Sequence, residues 1–216
     1  MSKQLNFIDS GVVEYGKAWQ LQKNIYNDVL EGRSLDTLIF LEHPHTYTMG
    51  KTTDKSNLTG SEEFLKNNNI AIFEIDRGGD ITYHGPGQLV GYPILNLTGW
   101  LEDAHKYLRN LEEVLIKTCV DYGLTAGRIK GLTGVWIEDR KIAAIGIKIS
   151  RWVTMHGFAF NINTDLSLFD GIIPCGIKDK KVTSLSAELR KQVNLIEVKE
   201  RVLENFLTIF EYTNKK

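Results

Sequence analysis

Apolar and polar positions along the chain sort it into helical and extended segments. Leu21, Ile25 and Val29 recur at helical spacing within Tyr15 to Leu30, with Tyr26 and Leu30 beside them, which predicts an amphipathic helix. Thr37 to Leu41 (TLIFL) is a short apolar run suited to a buried strand. It closes at His43-Pro44, because proline removes a ladder donor and restricts the residue before it. Ser61 can cap a short helix whose positive end suits Glu62 and Glu63. Ile70 to Ile75 and Leu89 to Leu97 are predicted strands. Between them, Arg77 to Gln88 (RGGDITYHGPGQ) holds four glycines and a proline and is predicted to form no regular element.

Leu108, Leu111, Leu115, Cys119 and Tyr122 mark one face of a long helix that stops at Gly123, a natural left-handed cap, and this face carries Cys119 into the core. Gly134 to Ile137 and Lys141 to Ile149 are expected to pair across Glu138-Asp139-Arg140. A third strand, Phe158 to Ile162, is expected after a loop around Trp152. A final helix from Leu195 turns Val198, Val202, Phe206 and Phe210 inward, with Asn194 and Glu197 as a capping pair. Strands and helices are interspersed without regular strand-helix-strand units, so the expected class is α+β with a mixed sheet and packed helices. No repeat or linker divides the chain, and one domain is expected over residues 1–216.

Composition narrows the function classes. The chain has 216 residues, and its 26 basic against 27 acidic side chains leave a net charge of -1. That balance excludes the broad cationic surface that binds nucleic acid by counterion release. No apolar run approaches the roughly 18 residues of a membrane span, and the opening MSKQLNFIDSG lacks a signal-peptide pattern. A cytoplasmic protein with neither membrane nor nucleic-acid partners is therefore expected. Cys119 and Cys175 show no CxxC spacing, so neither a disulfide framework nor a zinc knuckle is indicated.

Cys175 lies in GIIPCGIKDKK, where flanking proline and glycine hold the thiol on a bend. A thiol so placed is either a small buried hydrophobe or a partly ionised nucleophile. Lys141 opens a strand whose remainder, IAAIGI, is apolar. It reads as a surface lysine past a turn, or as a partner for the cysteine, since an ammonium within about 4 to 6 Å favours the thiolate. Lowering a thiol from about 8.5 to about 6.5 raises its ionised fraction at pH 7 from roughly 3% to roughly 76%. Nucleophilicity falls along the same series, leaving a net gain of roughly threefold. Moving protons is the stronger role for a lysine, at about 10² to 10⁴.

The glycines of Arg77 to Gln88 can turn amides toward an anion or carbonyl, or leave room for an apolar ligand. Neither a P-loop nor a dinucleotide fingerprint is present. His84 reads equally as a base for Cys175 or as a loop histidine bonded locally. His43 and His45, with His84 or His156, raise a metal site, but their spacing shows no convergence and no metal is expected. Lys178, Lys180 and Lys181 form either a solvated loop or a basic rim for an acidic partner.

The segments HPHTYTMGK (43–51), RGGDITYHGPGQLVGYPILNL (77–97), GVWIEDRKIAAIGIKISRWVTMHGFAFNINTDL (134–166), PCGI (174–177) and VTSL (182–185) together resemble the octanoyltransferases of lipoate biosynthesis. The resemblance implies a fold related to the biotin and lipoate protein ligase catalytic domain, and a Cys175/Lys141 dyad. It implies acyl-binding residues at Arg77, Gly78, Gly79, Asp80, Ile81, Thr82, Tyr83 and His84, at Ala144, Ile145 and Gly146, and at Gly157, Phe158 and Ala159. Met155 stands where a smaller residue is expected. The implied reaction moves octanoyl from octanoyl-acyl carrier protein to a lysine of lipoyl domains, in 2-oxoacid dehydrogenase complexes and the glycine cleavage H protein, without a cofactor. The alternatives are an ATP-dependent lipoate-protein ligase, an enzyme moving octanoyl between carrier domains, and a non-catalytic module that docks carrier domains.

Overall fold

The computed structural model describes residues 3–173 and 180–214. The chain opens with β1 (Lys3–Val12), α1 (Tyr15–Leu30) and β2 (Thr37–Glu42), in which β1 and β2 pair in parallel with Phe7 opposite Leu38. This is a strand-helix-strand crossover where none was expected. Strand β1 escapes sequence reading because most of its side chains are partly or fully exposed, with only Leu5 buried. A small sheet follows from β3 (Thr46–Met49), α2 (Glu62–Asn67), β4 (Ala71–Glu74) and β5 (Thr82–His84), with β3 between β4 and β5. Ser61 caps α2 by accepting from the Phe64 amide, as its hydroxyl predicts.

Strand β5 corrects the expectation that all of Arg77 to Gln88 is irregular. Its three residues pair antiparallel with β3, placing His84 opposite Thr46. Beyond it come β6 (Gln88–Ile94) and α3 (Ala104–Asp121), then β7 (Val135–Ile137), β8 (Arg140–Ser150) and β9 (Val153–Asn161). The turn between β8 and β9 is only Arg151 and Trp152, both at positive φ (48° and 58°). That conformation matches the strand twist of a two-residue hairpin. Strand β9 therefore starts at Val153, five residues before the expected Phe158. The chain ends with β10 (Lys181–Val182), α4 (Leu185–Leu189), α5 (Leu195–Ile209) and β11 (Tyr212–Asn214).

The larger sheet runs β10-β8-β9-β6-β2-β1-β11, with β7 also paired to β8. Alternation along its strands sorts the core onto two faces. Leu38, Phe40, Leu89, Phe158 and Phe160 pack with Leu111 and Leu115 of α3 and Val202 and Phe206 of α5. Ile39, Leu41, Val90, Tyr92 and Met155 pack with Ala18, Tyr26 and Val29 of α1. Met155 thus belongs to the layer under α1, which accounts for a bulky residue at that position. Cys119 is fully buried, and burial pushes its thiol up to about 12, so it behaves as a small hydrophobe. Parallel and antiparallel pairs share the sheet, and the architecture is α+β as expected.

Candidate active site

A cavity of about 520 Å³ opens where β8 and β9 meet the loop before β5 and the start of α3. Lys141, Ala144, Ile145 and Gly146 line it from β8, and Gly157, Phe158 and Ala159 from β9. Arg77, Gly78, Gly79, Asp80, Ile81, Thr82 and His84 line it from the loop and β5. Ala104, His105 and Leu108 of α3 and Gly131 to Thr133 complete the wall. Tyr83 is not on the cavity. Strand alternation sends it to the opposite face of β5, where its hydroxyl bonds His45 Nδ1 at 2.8 Å and its ring packs on Tyr47 and Phe169.

Gly78 N–H donates to Ile147 O at 2.9 Å, which seats the loop directly on β8. Gly146, opposite Gly157 in the register, makes room for that seat. A Cβ there would stand 2.8 Å from Arg77 Cδ and 3.1 Å from Gly78 O, so the space is occupied by the arginine stem. Arg77 is buried, and its Nη2 donates to Thr48 O at 2.7 Å and to Thr48 Oγ1 at 3.0 Å. Asp80 anchors the next turn by accepting from Asn57 Nδ2 at 2.6 Å and from the Ile81 amide at 2.7 Å.

His84 is locked on both sides. Its Nδ1 lies 2.9 Å from Gln88 Oε1, an acceptor, so Nδ1 carries the proton and Nε2 accepts from Thr48 Oγ1 at 3.2 Å. Burial, with the charge of Arg77 and the neighbouring His43, holds its pKa well below the ordinary histidine value. No lone pair is left for a thiol proton, which favours the reading of a locally bonded histidine over that of a base. From His84 the bonds continue through Gln88 Nε2 to Asn161 Oδ1 at 2.9 Å, and from Asn161 Nδ2 to Thr183 O at 2.9 Å. Thr183 N–H in turn donates to Lys141 O at 2.9 Å. A continuous polar chain therefore connects the Arg77 loop to the strand of Lys141.

Of the other buried histidines, His43 is bonded through both ring nitrogens and His156 through Nε2. His43 Nδ1 donates to Val13 O and its Nε2 accepts from Tyr92 OH, each at 2.7 Å, leaving the Tyr92 oxygen to accept from Tyr15. Burial pulls His43 down to about 4. His156 Nε2 lies 2.8 Å from Asp76 Oδ1, and Lys148 Nζ 2.6 Å from Oδ2. Burial alone would raise Asp76, but the hydrogen bonds from Lys148 and His156 outweigh it and hold the carboxyl at about 2. Among the described residues, no three His, Cys, Asp or Glu side chains gather to hold a metal ion.

Lys141 is buried, and its Nζ lies 4.7 Å from the centre of the Trp136 ring, its neighbour across the β7–β8 ladder. Its other strand neighbour is Val182 of β10. Cys175 lies outside the described residues, as does Lys178. Lys180 is partly exposed and Lys181 exposed. Residues on both sides of that segment, Phe169 before it and Val182 after it, line the cavity. Thr48, Gln88 and Asn161, which build the polar chain, and Tyr15 and Tyr92 at the cavity wall went unnoticed in the sequence. They are spread over α1, β3, β6 and β9, and only Gln88, at the end of the glycine run, had a local signal.

Known proteins resemble this chain over most of its length. The model of the lipoyl protein ligase A/B catalytic domain matches residues 14–207. An octanoyltransferase of Christiangramia forsetii is 49% identical, over 98% of this chain and 97% of the relative. A lipoate-protein ligase A solved with bound ATP superimposes with a TM-score of 0.79 at 16% identity, over 100% of this chain and 90% of that one. A biotin protein ligase of Aquifex aeolicus reaches 0.58 at 16% identity, over 96% and 70%. The two ligases share the fold, and the sequence similarity places this chain in the lipoyl protein ligase A/B catalytic domain family, among its octanoyltransferases.

Proposed function

We propose that this octanoyltransferase moves an octanoyl group from octanoyl-acyl carrier protein to the ε-amine of a lysine on lipoyl domains, through a thioester on Cys175. The acceptors are the lipoyl domains of 2-oxoacid dehydrogenase complexes and the glycine cleavage H protein. The observation that carries the reading is Lys141, a buried ammonium in the wall of a largely apolar cavity, whose strand neighbour Val182 follows the segment of Cys175.

In the first step the Cys175 thiolate attacks the carrier thioester, and the bond from acyl carbon to pantetheine sulfur breaks as a new C–S bond forms. Lys141 gives its proton to the departing sulfur and is left as a neutral amine. In the second step the acceptor amine attacks the octanoyl-cysteine, Lys141 takes the proton that the amine sheds, and Cys175 leaves as the thiolate. The cycle closes with an ion pair restored, and one thioester is converted to one amide with no need for ATP. Ile145, Phe158 and Ala159 offer the C8 chain an apolar wall, with burial contributing about 0.8 kcal/mol per methylene.

Intact-protein mass spectrometry after mixing with octanoyl-acyl carrier protein is expected to show one octanoyl adduct, and none on Cys175→Ser. An adduct that survives on the variant removes Cys175 from the role. Lys141→Ala is expected to slow both half-reactions by about 10² or more in single turnover. Octanoate with ATP and Mg²⁺ in place of the carrier thioester is expected to give no product, and turnover there would mean a ligase.

A further inference from the structure

Glu112 is a fully buried carboxylate on the core-facing side of α3. A buried carboxylate is costly unless it is paired and hydrogen-bonded, and an apolar side chain of similar size would often serve stability as well. Its Oε2 accepts from Arg109 Nη1 at 2.6 Å and from Arg128 Nε at 2.8 Å, and its Oε1 from the Gly134 amide at 3.2 Å. Arg128 Nη2 bonds Arg109 O at 2.9 Å and Glu113 Oε2 at 2.8 Å. Arg128 and Gly134 bracket the segment whose Gly131, Leu132 and Thr133 line the cavity.

The far end of that segment bears on Lys141. Gly134 sits at φ +119°, a conformation that side-chain-bearing residues rarely adopt. A Cβ there would meet Ala143 O at 2.6 Å and would lie 3.5 and 3.6 Å from Lys141 Cε and Cδ. Trp136 follows, with its ring near the ammonium. The carboxylate on α3 therefore fixes the backbone that flanks the lysine stem and leads into the ring beside its head.

We propose that Glu112 is a positioning residue for octanoyl transfer: it clamps residues 128–134 to α3 and, through Gly134, aims the Lys141 ammonium. The proposal rests on the role of Lys141 given above. A cycle of Glu112→Ala, Lys141→Ala and the double variant tests it by single-turnover acylation from octanoyl-acyl carrier protein across pH. Glu112→Ala is expected to slow acylation by about tenfold to a hundredfold, and to shift its pH profile toward that of Lys141→Ala. Added to Lys141→Ala it is expected to cost less than about twofold, because the two act through one group. Glu112→Gln keeps an acceptor for the Gly134 amide but turns an NH2 toward the Arg109 and Arg128 donors, so its rate is expected between those of the parent and Glu112→Ala.

Independent, additive losses, or a Glu112→Ala rate equal to the parent's, overturn the clamp. A Lys141→Ala protein at the parental rate overturns the role of Lys141 first, and the clamp with it. Should Glu112→Ala fail to fold, Arg128→Ala cuts the same clamp from its one-third-exposed side and carries the same cycle with the same two outcomes.

Discussion

The loop arginine is held in place by what Gly146 lacks. Adding a methyl group at Gly146 drives it into Arg77 Cδ and Gly78 O, and Arg77 in turn holds both oxygens of Thr48. Gly146→Ala is expected to destabilise the fold by about 1 to 3 kcal/mol through overpacking. It is also expected to slow acyl loading by about tenfold, as the loop shifts off β8. A thermal melt and single-turnover acylation check the two parts. The run Arg77 to His84, most of which lines the cavity, stood out in the sequence because its composition admits few regular structures. Tyr83 is the one residue of that run off the cavity wall, because strand alternation turns it to the other face of β5. Glu112 left a faint trace: it stands one turn after Leu108 and one before Leu115, inside the apolar stripe of α3.

Among the elements, the long helices were legible from their periodicity, and at α5 the capping agrees. Asn194 caps α5 by accepting from the Ile196 amide at 3.0 Å and reaches Glu197 at 3.3 Å. The short strands β4 and β7 were legible as apolar runs, but β5, β10 and β11 were not, because they owe their extension to neighbours brought from far along the chain. Strand β11 shows how such an element is held. Tyr212 OH donates to Asp36 Oδ2 at 2.5 Å, while the Asn96 amide donates to Oδ1 at 2.7 Å. Removing the hydroxyl leaves a partly buried carboxylate short of a partner. Tyr212→Phe is expected to cost about 1 to 3 kcal/mol in urea unfolding, and Asp36→Asn made on top of it far less than it costs alone.

For the whole molecule, the committed histidines and Asp76 set an acid limit. His43 drops from 6.5 in the unfolded chain to about 4 in the fold, and burial lowers His84 and His156 in the same direction. The unfolded chain therefore binds more protons below pH 6.5, so this stability is complete above that value and is lost as pH falls toward 4. Asp76, held at about 2 against 3.8, adds a second loss between those values. Asp36 works the other way, because burial raises its carboxyl and protonation there favours the fold. Unfolding free energy against pH is expected to fall in two stages, and His43→Asn to flatten the upper one.

Lys3 pairs with Tyr212 in the outermost ladder, so the two ends of the described chain lie side by side. Strands β1, β2, β6 and β9 separate that edge from β8 and its lysine. The molecule can accordingly be tethered to a resin or joined to a reporter through either end, with the breadth of a sheet between the handle and the chemistry.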